Sequence, residues 1–462
     1  MRAVERFTRT HYWAALFVIV SSLKLFYAPL VSEDLFIWVA AGLKMIDLGQ
    51  FISHDYFTIH HGLTFVYPAQ LSNLLYGMIF KIGGSTLLFV VLRLIGIFFL
   101  FYIYQKHLKQ VEKNIWNLLW VISFIFGIFY MIDRPQYLAF FPAMMAFSFL
   151  DESQFDLKAK IYFLAIIIFW SNLHSSVLIL IPVLGCRAVA ETLIYDLRKL
   201  KITISKLLLL IVGICVTPIR LDIFKYLFST FMLSSKRFNG EWRGLLAYQD
   251  KFLVIIILLI MFYLLAMLLK TKQLKEYLLS GYFILPVMTF ISVRHAVFFC
   301  LVNFIIFNQY RLWITGKNIL ENTKSTFVLG VLFSLSIYLL IVNWKENHFL
   351  DENYDATLIG LMRSENNLHV YHEIDGGLLS AFLFQNNNKY FIDARNIIFT
   401  DEMYRDYSLL KQNLEISKLI NKYGFDTFIV KKENTKMIQV LLDLGWQKKF
   451  EGDKTILFKK RA

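Results

Sequence analysis

The sequence predicts an all-α polytopic membrane protein that carries a small α/β domain at its C-terminal end. Three observations predict it. The 462-residue chain is 57% hydrophobic and contains 45 Phe, against about 45–50% apolar residues in soluble domains. Runs such as Phe252–Leu269 carry no charge and are long enough to cross a bilayer. The Lys and Arg residues behind the net charge of +14 fall largely in short connections between such runs. That is the pattern of cytoplasmic loops, so nucleic acid is not an expected partner.

About eleven spans of roughly 14–20 residues are expected. They are Tyr12–Leu30, Ser85–Tyr104, Ile115–Ile132, Tyr137–Leu150, Ile161–Trp170, Val177–Cys186, Leu207–Ile219, Phe252–Leu269, Tyr277–Val293, Ala296–Phe307 and Thr326–Trp344. Arg2, Arg6 and Arg9 precede the first, and no small-residue cleavage site follows it. It therefore reads as an uncleaved span with a cytoplasmic N-terminus. Residues 31–84 carry Asp34, Lys44, Asp47, Asp55, three His and Lys81. They read as a large external loop with amphipathic helices lying on the membrane. With that loop outside, Lys106–Lys113, Lys158/Lys160, Arg187–Lys206, Lys270–Lys275 and Arg311–Lys324 fall inside. Arg220–Lys251 is basic yet external, where it would meet phosphate headgroups.

Residues 1–344 thus form the membrane domain, and 345–462 a soluble extracytoplasmic α/β domain. Strands are expected at Leu368–His372, Tyr390–Ile392, Thr427–Val430 and Thr455–Phe458, with helices at Leu378–Phe384 and Thr435–Leu444. Cys186, Cys215 and Cys300 lie in or beside apolar runs without metal spacing and read as small core residues. Seven Pro and a richness in Lys, Phe, Ile and Asn point to an AT-rich bacterial genome. The membrane would then be the bacterial cytoplasmic (inner) membrane.

Polar residues at the external ends of spans are the candidate site. Glu33 and Asp34 follow the first span, where a carboxylate is costly unless used or paired. Such a carboxylate can take the proton from an acceptor hydroxyl during inverting glycosyl transfer. Asp34, shorter and more rigidly placed, is the expected base, with Glu33 beside it in the binding site. The bland alternative is a helix-end acid facing water. His54 and Asp55, in a loop with His60 and His61, would orient a sugar. A metal or plain loop structure are the other readings there. Asp133-Arg134 would hold a donor phosphate or fix a turn with its own ion pair. Ser171–Ser176 with His174 interrupts an apolar stretch and must face water, protein or ligand. Glu241, Arg243 and Lys236 in the basic external loop, and Arg294 at a helix end, complete the set. No glycine-rich phosphate loop, zinc spacing or nucleotide motif is present. A nucleotide-sugar donor is therefore not expected. No cofactor is called for, and a divalent cation stays open.

Taken together these fragments resemble the GT-C membrane glycosyltransferases. More narrowly, they resemble a bacterial group related to the protein mannosyltransferase and aminoarabinose transferase families. The resemblance runs over nearly the whole chain. It rests on Asp34, on the segment from Gly42 to Thr58, on Arg134-Pro135-Gln136 and on Asn172-Leu173-His174-Ser175-Ser176. Thr217-Pro218, Glu241-Trp242 and Ile392-Asp393-Ala394-Arg395 add to it. Ser53-His54 stands where a proline is common, and Ser175 replaces a glycine. The resemblance implies a GT-C-like fold and transfer of a sugar from a polyprenyl-phosphate-linked donor to a cell-envelope glycan, lipid or protein on the extracytoplasmic face. Membrane lipids are the other expected partner. Asp34 would be the base. Arg134 and Arg294, with Lys236 or Arg243, would hold the phosphate, and His54, Asp55 and His174 would line the site. Asp393 and Arg395 would pair to fix the tail. A non-catalytic scaffold for envelope polysaccharide assembly and a lipid or oligosaccharide transporter are the rival readings.

Overall fold

A computed structural model describes residues 33–63, 69–103, 136–226, 244–248, 251–309, 356–373, 387–393, 395 and 398–461. The helical region opens with α1 (Glu33–Leu48) and α2 (Gln70–Ile103), the latter kinked at Gly83–Gly84, where Gly84 takes φ 63°. It continues with α3 (Gln136–Leu150), α4 (Leu157–Leu173), α5 (Leu180–Leu193) and α6 (Leu197–Cys215). Then come α7 (Lys251–Lys270), α8 (Leu274–Leu279), α9 (Ile284–Ile291) and α10 (Ala296–Gln309). Two Asp side chains set helix starts by accepting orphan backbone N–H groups. Asp156 accepts from Ala159 at 2.7 Å before α4, and Asp196 accepts from Lys199 at 3.1 Å before α6.

The C-terminal region carries α11 (Ala356–Ser364), β1 (His369–His372), β2 (Lys389–Tyr390), α12 (Asp401–Lys411) and α13 (Ile416–Tyr423). It ends with β3 (Thr427–Lys431), α14 (Thr435–Asp443), β4 (Gln447–Glu451) and β5 (Thr455–Lys459). The sheet order is β2-β1-β3-β5-β4, parallel for β2-β1-β3 and antiparallel for β3-β5-β4. Thr400 and Asn434 cap α12 and α14 through the N–H groups of Met403 and Met437. Gly424, at φ 63°, ends α13 in the left-handed conformation that favours glycine.

The expected all-α polytopic architecture with about eleven spans is overturned by the structure. About 68% of the described chain is helical, and a five-stranded sheet accompanies the helices. Among the described residues one helical run, Ser175–Leu193, is long and apolar enough to cross a membrane. Gln136–Leu150, Ile257–Lys270 and Val293–Asn303 are shorter apolar helices. Hydropathy counts burial without saying against what. The expected run Tyr277–Val293 is split at Gly281, at φ 79°, into α8 and α9. The described residues within the expected loop 31–84 are not surface helices. Leu35, Ile37, Val39, Ala40, Ala41 and Met45 put buried side chains on every face of α1, as in a helix enclosed by protein. Leu35 and Val39 join the core of the helical region, whereas Ala40, Ala41 and Met45 join the core of the C-terminal region. The spans expected at Tyr12–Leu30, Ile115–Ile132 and Thr326–Trp344 and the helix expected at Leu378–Phe384 lie outside the described residues.

α1 and α2 touch backbone to backbone. A Cβ on Gly42 would sit 1.8 Å from the Asn73 carbonyl oxygen, and one on Gly77 would sit 2.4 Å from the Gly42 carbonyl carbon. Glycine is what allows this approach. Five residues along α1, Asp47 meets Lys81 at 3.8 Å. The contacts advance in step, so the two helices run in the same direction.

Candidate functional site

That shared direction places the start of α1, with Glu33 and Asp34, at the same end of the molecule as the start of α2. At this end Ser72 of α2 donates to the Leu173 carbonyl at 2.7 Å, which ties α2 to the end of α4. His174 follows in extended conformation, and its Nδ1 accepts the Ser176 N–H at 2.9 Å, starting a short 3-10 turn at Ser175–Ile179. Accepting at Nδ1 puts the proton of a neutral ring on Nε2. Trp170 donates from its indole to Ser176 at 2.9 Å, and Asn172 donates to Ile168 at 2.7 Å. The polar run Ser171–Ser176 is thus a helix end whose own side chains satisfy its backbone.

Arg294 reaches this end from the 3-10 turn Val293–His295 between α9 and α10. It lies close enough to His174 for its charge to act on the ring. Two residues singled out 120 positions apart in the sequence are therefore brought together. Asn73, one residue beyond Ser72, is fully buried with both amide atoms unpartnered.

Asp55 has a different task from the sugar orientation expected of it. Its carboxylate is fully buried and binds Arg395 of the tail at 2.7 Å. It also accepts the N–H groups of Phe57 at 3.1 Å and Thr58 at 3.0 Å and the Thr58 hydroxyl. Arg395 in turn donates through Nε to both oxygens of Asp393 at 3.0 Å and stands over the Phe57 ring at 5.0 Å. Around this ion triad the loop joins the sheet. Ile59 N–H donates to the Tyr390 carbonyl at 2.7 Å, and Tyr390 N–H to the Phe57 carbonyl at 3.0 Å. His60 donates from Nε2 to the Phe391 carbonyl at 2.8 Å, which fixes its tautomer because a carbonyl can only accept.

Burial pushes the Asp55 carboxyl up, but Arg395, Thr58 and the Phe57 N–H outweigh it and hold it below the ordinary value of 3.8. Burial dominates at His60 and holds it below 6.5, against the opposing pull of the Phe391 carbonyl, Asp55 and Asp393. His54 is exposed and meets Ser53 at 2.9 Å. Asp133, Arg134, Lys236, Glu241 and Arg243 lie outside the described residues, as do the side chains of Glu33 and Asp34. Among the described residues no group of three His, Cys, Asp or Glu side chains is arranged to hold a metal.

Sequence reasoning missed a second buried charge cluster, at the opposite end of the helices. Arg187 binds Asp151 at 2.9 Å, Glu191 at 3.0 Å and the Leu150 carbonyl at 2.8 Å. Lys206, 1% exposed, donates to the same carbonyl at 2.8 Å. Tyr282 closes the cluster by donating to Asp151. Arg187 and Lys206 looked like members of a basic loop. The spacing Arg187–Glu191 was the available signal, since such a pair shares a helix face.

No family profile matches the chain, and no curated protein matches it in sequence.

Proposed function

We propose that the chain is an inverting glycosyltransferase of a bacterial cytoplasmic membrane, which moves a sugar from a polyprenyl-phosphate donor to an envelope acceptor on the extracytoplasmic face. One observation carries the reading. Arg294 lies near enough to His174 for its charge to act on the ring, at the end where α1 begins with Glu33-Asp34. A carboxylate, an imidazole and a guanidinium at one end are the groups this reaction needs. Asp34 takes the acceptor hydroxyl proton as the acceptor oxygen bonds to the anomeric carbon. The bond from that carbon to the phosphate oxygen breaks, and polyprenyl phosphate leaves with its charge met by Arg294. His174 orients the sugar or acceptor.

A lipid donor requires contact with the bilayer. Exposed apolar residues on α6 (Leu208, Ile211, Val212) and α7 (Leu259, Phe262, Leu269) are the faces that would meet lipid. The C-terminal region, docked on α1, would hold the helix that carries Asp34.

The test uses purified wild type and Asp34→Asn with a panel of radiolabelled polyprenyl-phosphate sugars and membrane extract as acceptor. Transfer or slow donor hydrolysis by wild type alone, at equal melting temperatures, is the expected result. Equal activity in both proteins removes Asp34 from the mechanism. Inactivity of wild type across a broad panel discards the reaction.

A further inference from the structure

The end of the molecule opposite His174 has its own surface. The α5–α6 hairpin extends past the Arg187 cluster, by nine residues counted back from Lys206 to Leu197 on α6, or about 13 Å of helix. Its tip is apolar and uncovered. Tyr195 is 87% exposed, Leu193 74% and Leu197 64%, with Val189 and Ile194 also exposed. Tyr195 holds φ 56°, so the chain turns sharply there. Directly beside these side chains stand Arg198, Lys199 and Lys201, all exposed. Lys199 is paired with Asp196 at 3.0 Å. The cluster beneath is charge-balanced, since Asp151 and Glu191 answer Arg187 and Lys206. The tip therefore presents net positive charge on an apolar platform.

Two further segments with lysines reach this end, of which the one at 270–276 is net basic. Lys158 stands in the first turn of α4, after the Asp156 cap, in a stretch where Glu152 and Asp156 offset Lys158 and Lys160. The turn Lys270–Lys275 leads into α8 and on to Tyr282, a member of the cluster. Along α4, Lys158 is separated from Asn172 by 14 residues, or about 21 Å. Exposed Ile161, Tyr162 and Phe169 lie between. Charge at one level, an exposed apolar band, then a polar end is the profile of a headgroup layer above acyl chains. Exposed Leu, Ile and Tyr interleaved with Lys and Arg are the side chains that settle into such a layer.

We propose that the tip Val189–Lys201, flanked by Lys158 and the Lys270–Lys275 turn, is a docking surface for anionic phospholipid headgroups. It rests on the reading that the apolar faces lie in lipid, and is independent of the glycosyl-transfer chemistry. Phosphates meet Arg198 and Lys201, while Leu193, Tyr195 and Leu197 enter the boundary between headgroups and acyl chains.

The test is the thermal shift of the full chain in neutral detergent, titrated with phosphatidylglycerol or phosphatidylcholine at equal mole fraction. Phosphatidylglycerol is expected to bind more tightly, with the preference lost in 0.5 M salt. Each basic residue near an anionic surface contributes about five-fold, so Arg198→Gln with Lys201→Gln should reduce the preference on the order of 30-fold. Leu193→Ser with Tyr195→Ser should weaken both lipids and keep the preference. Lys418→Gln with Lys422→Gln, in the C-terminal region, should change neither. Equal response to the two lipids overturns the proposal and leaves the lipid-facing reading standing, whereas response to neither overturns both. The same stabilisation by inorganic phosphate alone would mean a free-anion site, and would also overturn it.

Discussion

The two arginines Arg395 and Arg187 solve one problem with different margins. Each guanidinium is held by two carboxylates, that of Arg395 fully buried and that of Arg187 half-buried. Among the described residues Arg395 is the one cation in direct contact with Asp55 and Asp393, 1% exposed against two carboxylates with no exposure. Arg187 faces Asp151 and Glu191 with Lys206 beside it and Tyr282 donating to Asp151. Remove Arg395 and two carboxylates are left together in a dry place. Remove Arg187 and a second cation and a phenol remain. The Arg395 triad also joins segments 340 residues apart, while the Arg187 cluster staples neighbouring helices. One is the sole ionic lock between two regions that the described residues show, and the other is a reinforced joint.

The sharpest way to break this comparison is Arg395→Ala. Truncating one partner of a buried ion pair costs about 3–5 kcal/mol, and here two carboxylates lose it. Arg187→Ala should cost less, about 1–3 kcal/mol, the range for an unsatisfied buried group. Melting of the two variants side by side tests the order, and a larger loss at Arg187 would reverse the argument. In Arg395→Ala, limited proteolysis should also cut within residues 49–63 faster than it does in wild type.

Next in size is Gly42→Ala. A Cβ at 1.8 Å from a backbone oxygen has to part α1 from α2, and overpacking of this kind costs about 1–3 kcal/mol. Because α1 carries Asp34, the proposed transfer activity should fall with stability. Gly185→Ala, where a Cβ meets nothing within 4 Å, is the control and should be near neutral in melting temperature.

Titration gives smaller effects confined to the Arg395 lock. The folded Asp55 carboxyl lies below 3.8. Its contribution is therefore fully present above 3.8 and is lost as pH falls through the folded value. His60 lies below 6.5 in the folded protein. Its contribution is full above 6.5 and declines as pH drops through its folded value. Protease protection of residues 49–63, followed from pH 7 downward, should weaken first in the His60 window and then in the Asp55 window. His60→Phe should erase the first step alone, and an unchanged profile would exclude His60 from the lock. The smallest effect is Ser72→Ala, which frees one buried carbonyl at about 1 kcal/mol. Melting should shift slightly, with no change in protease protection of the loop.

Much of the C-terminal region was legible because its signals are local. β1, β3 and β5 fall where alternating β-branched and aromatic residues placed strands, and α14 where a helix was expected. β4 was missed because Gln447-Lys448-Lys449 carries no apolar alternation; it pairs with β5 at the sheet edge. His174 and Arg294 could each be singled out, since a polar residue interrupting an apolar run must find water or a partner. That they are neighbours was not readable, because it depends on how α4 and α9 end. Asp55 was read as a ligand group for the same reason that it makes a good lock: a carboxylate in a loop does not announce its cation.

The sequence by itself determined where β1, β3, β5 and α14 form and which residues must leave water, because period and hydropathy are properties of neighbours along the chain. Only the tertiary structure decided what those residues meet. α1 is apolar because it lies between two protein cores, and not because it lies in lipid. Asp55 belongs to Arg395, and Gly42 to the backbone of α2. Such partnerships are set by packing between distant segments, and close contact, unlike hydropathy, leaves no period in the sequence.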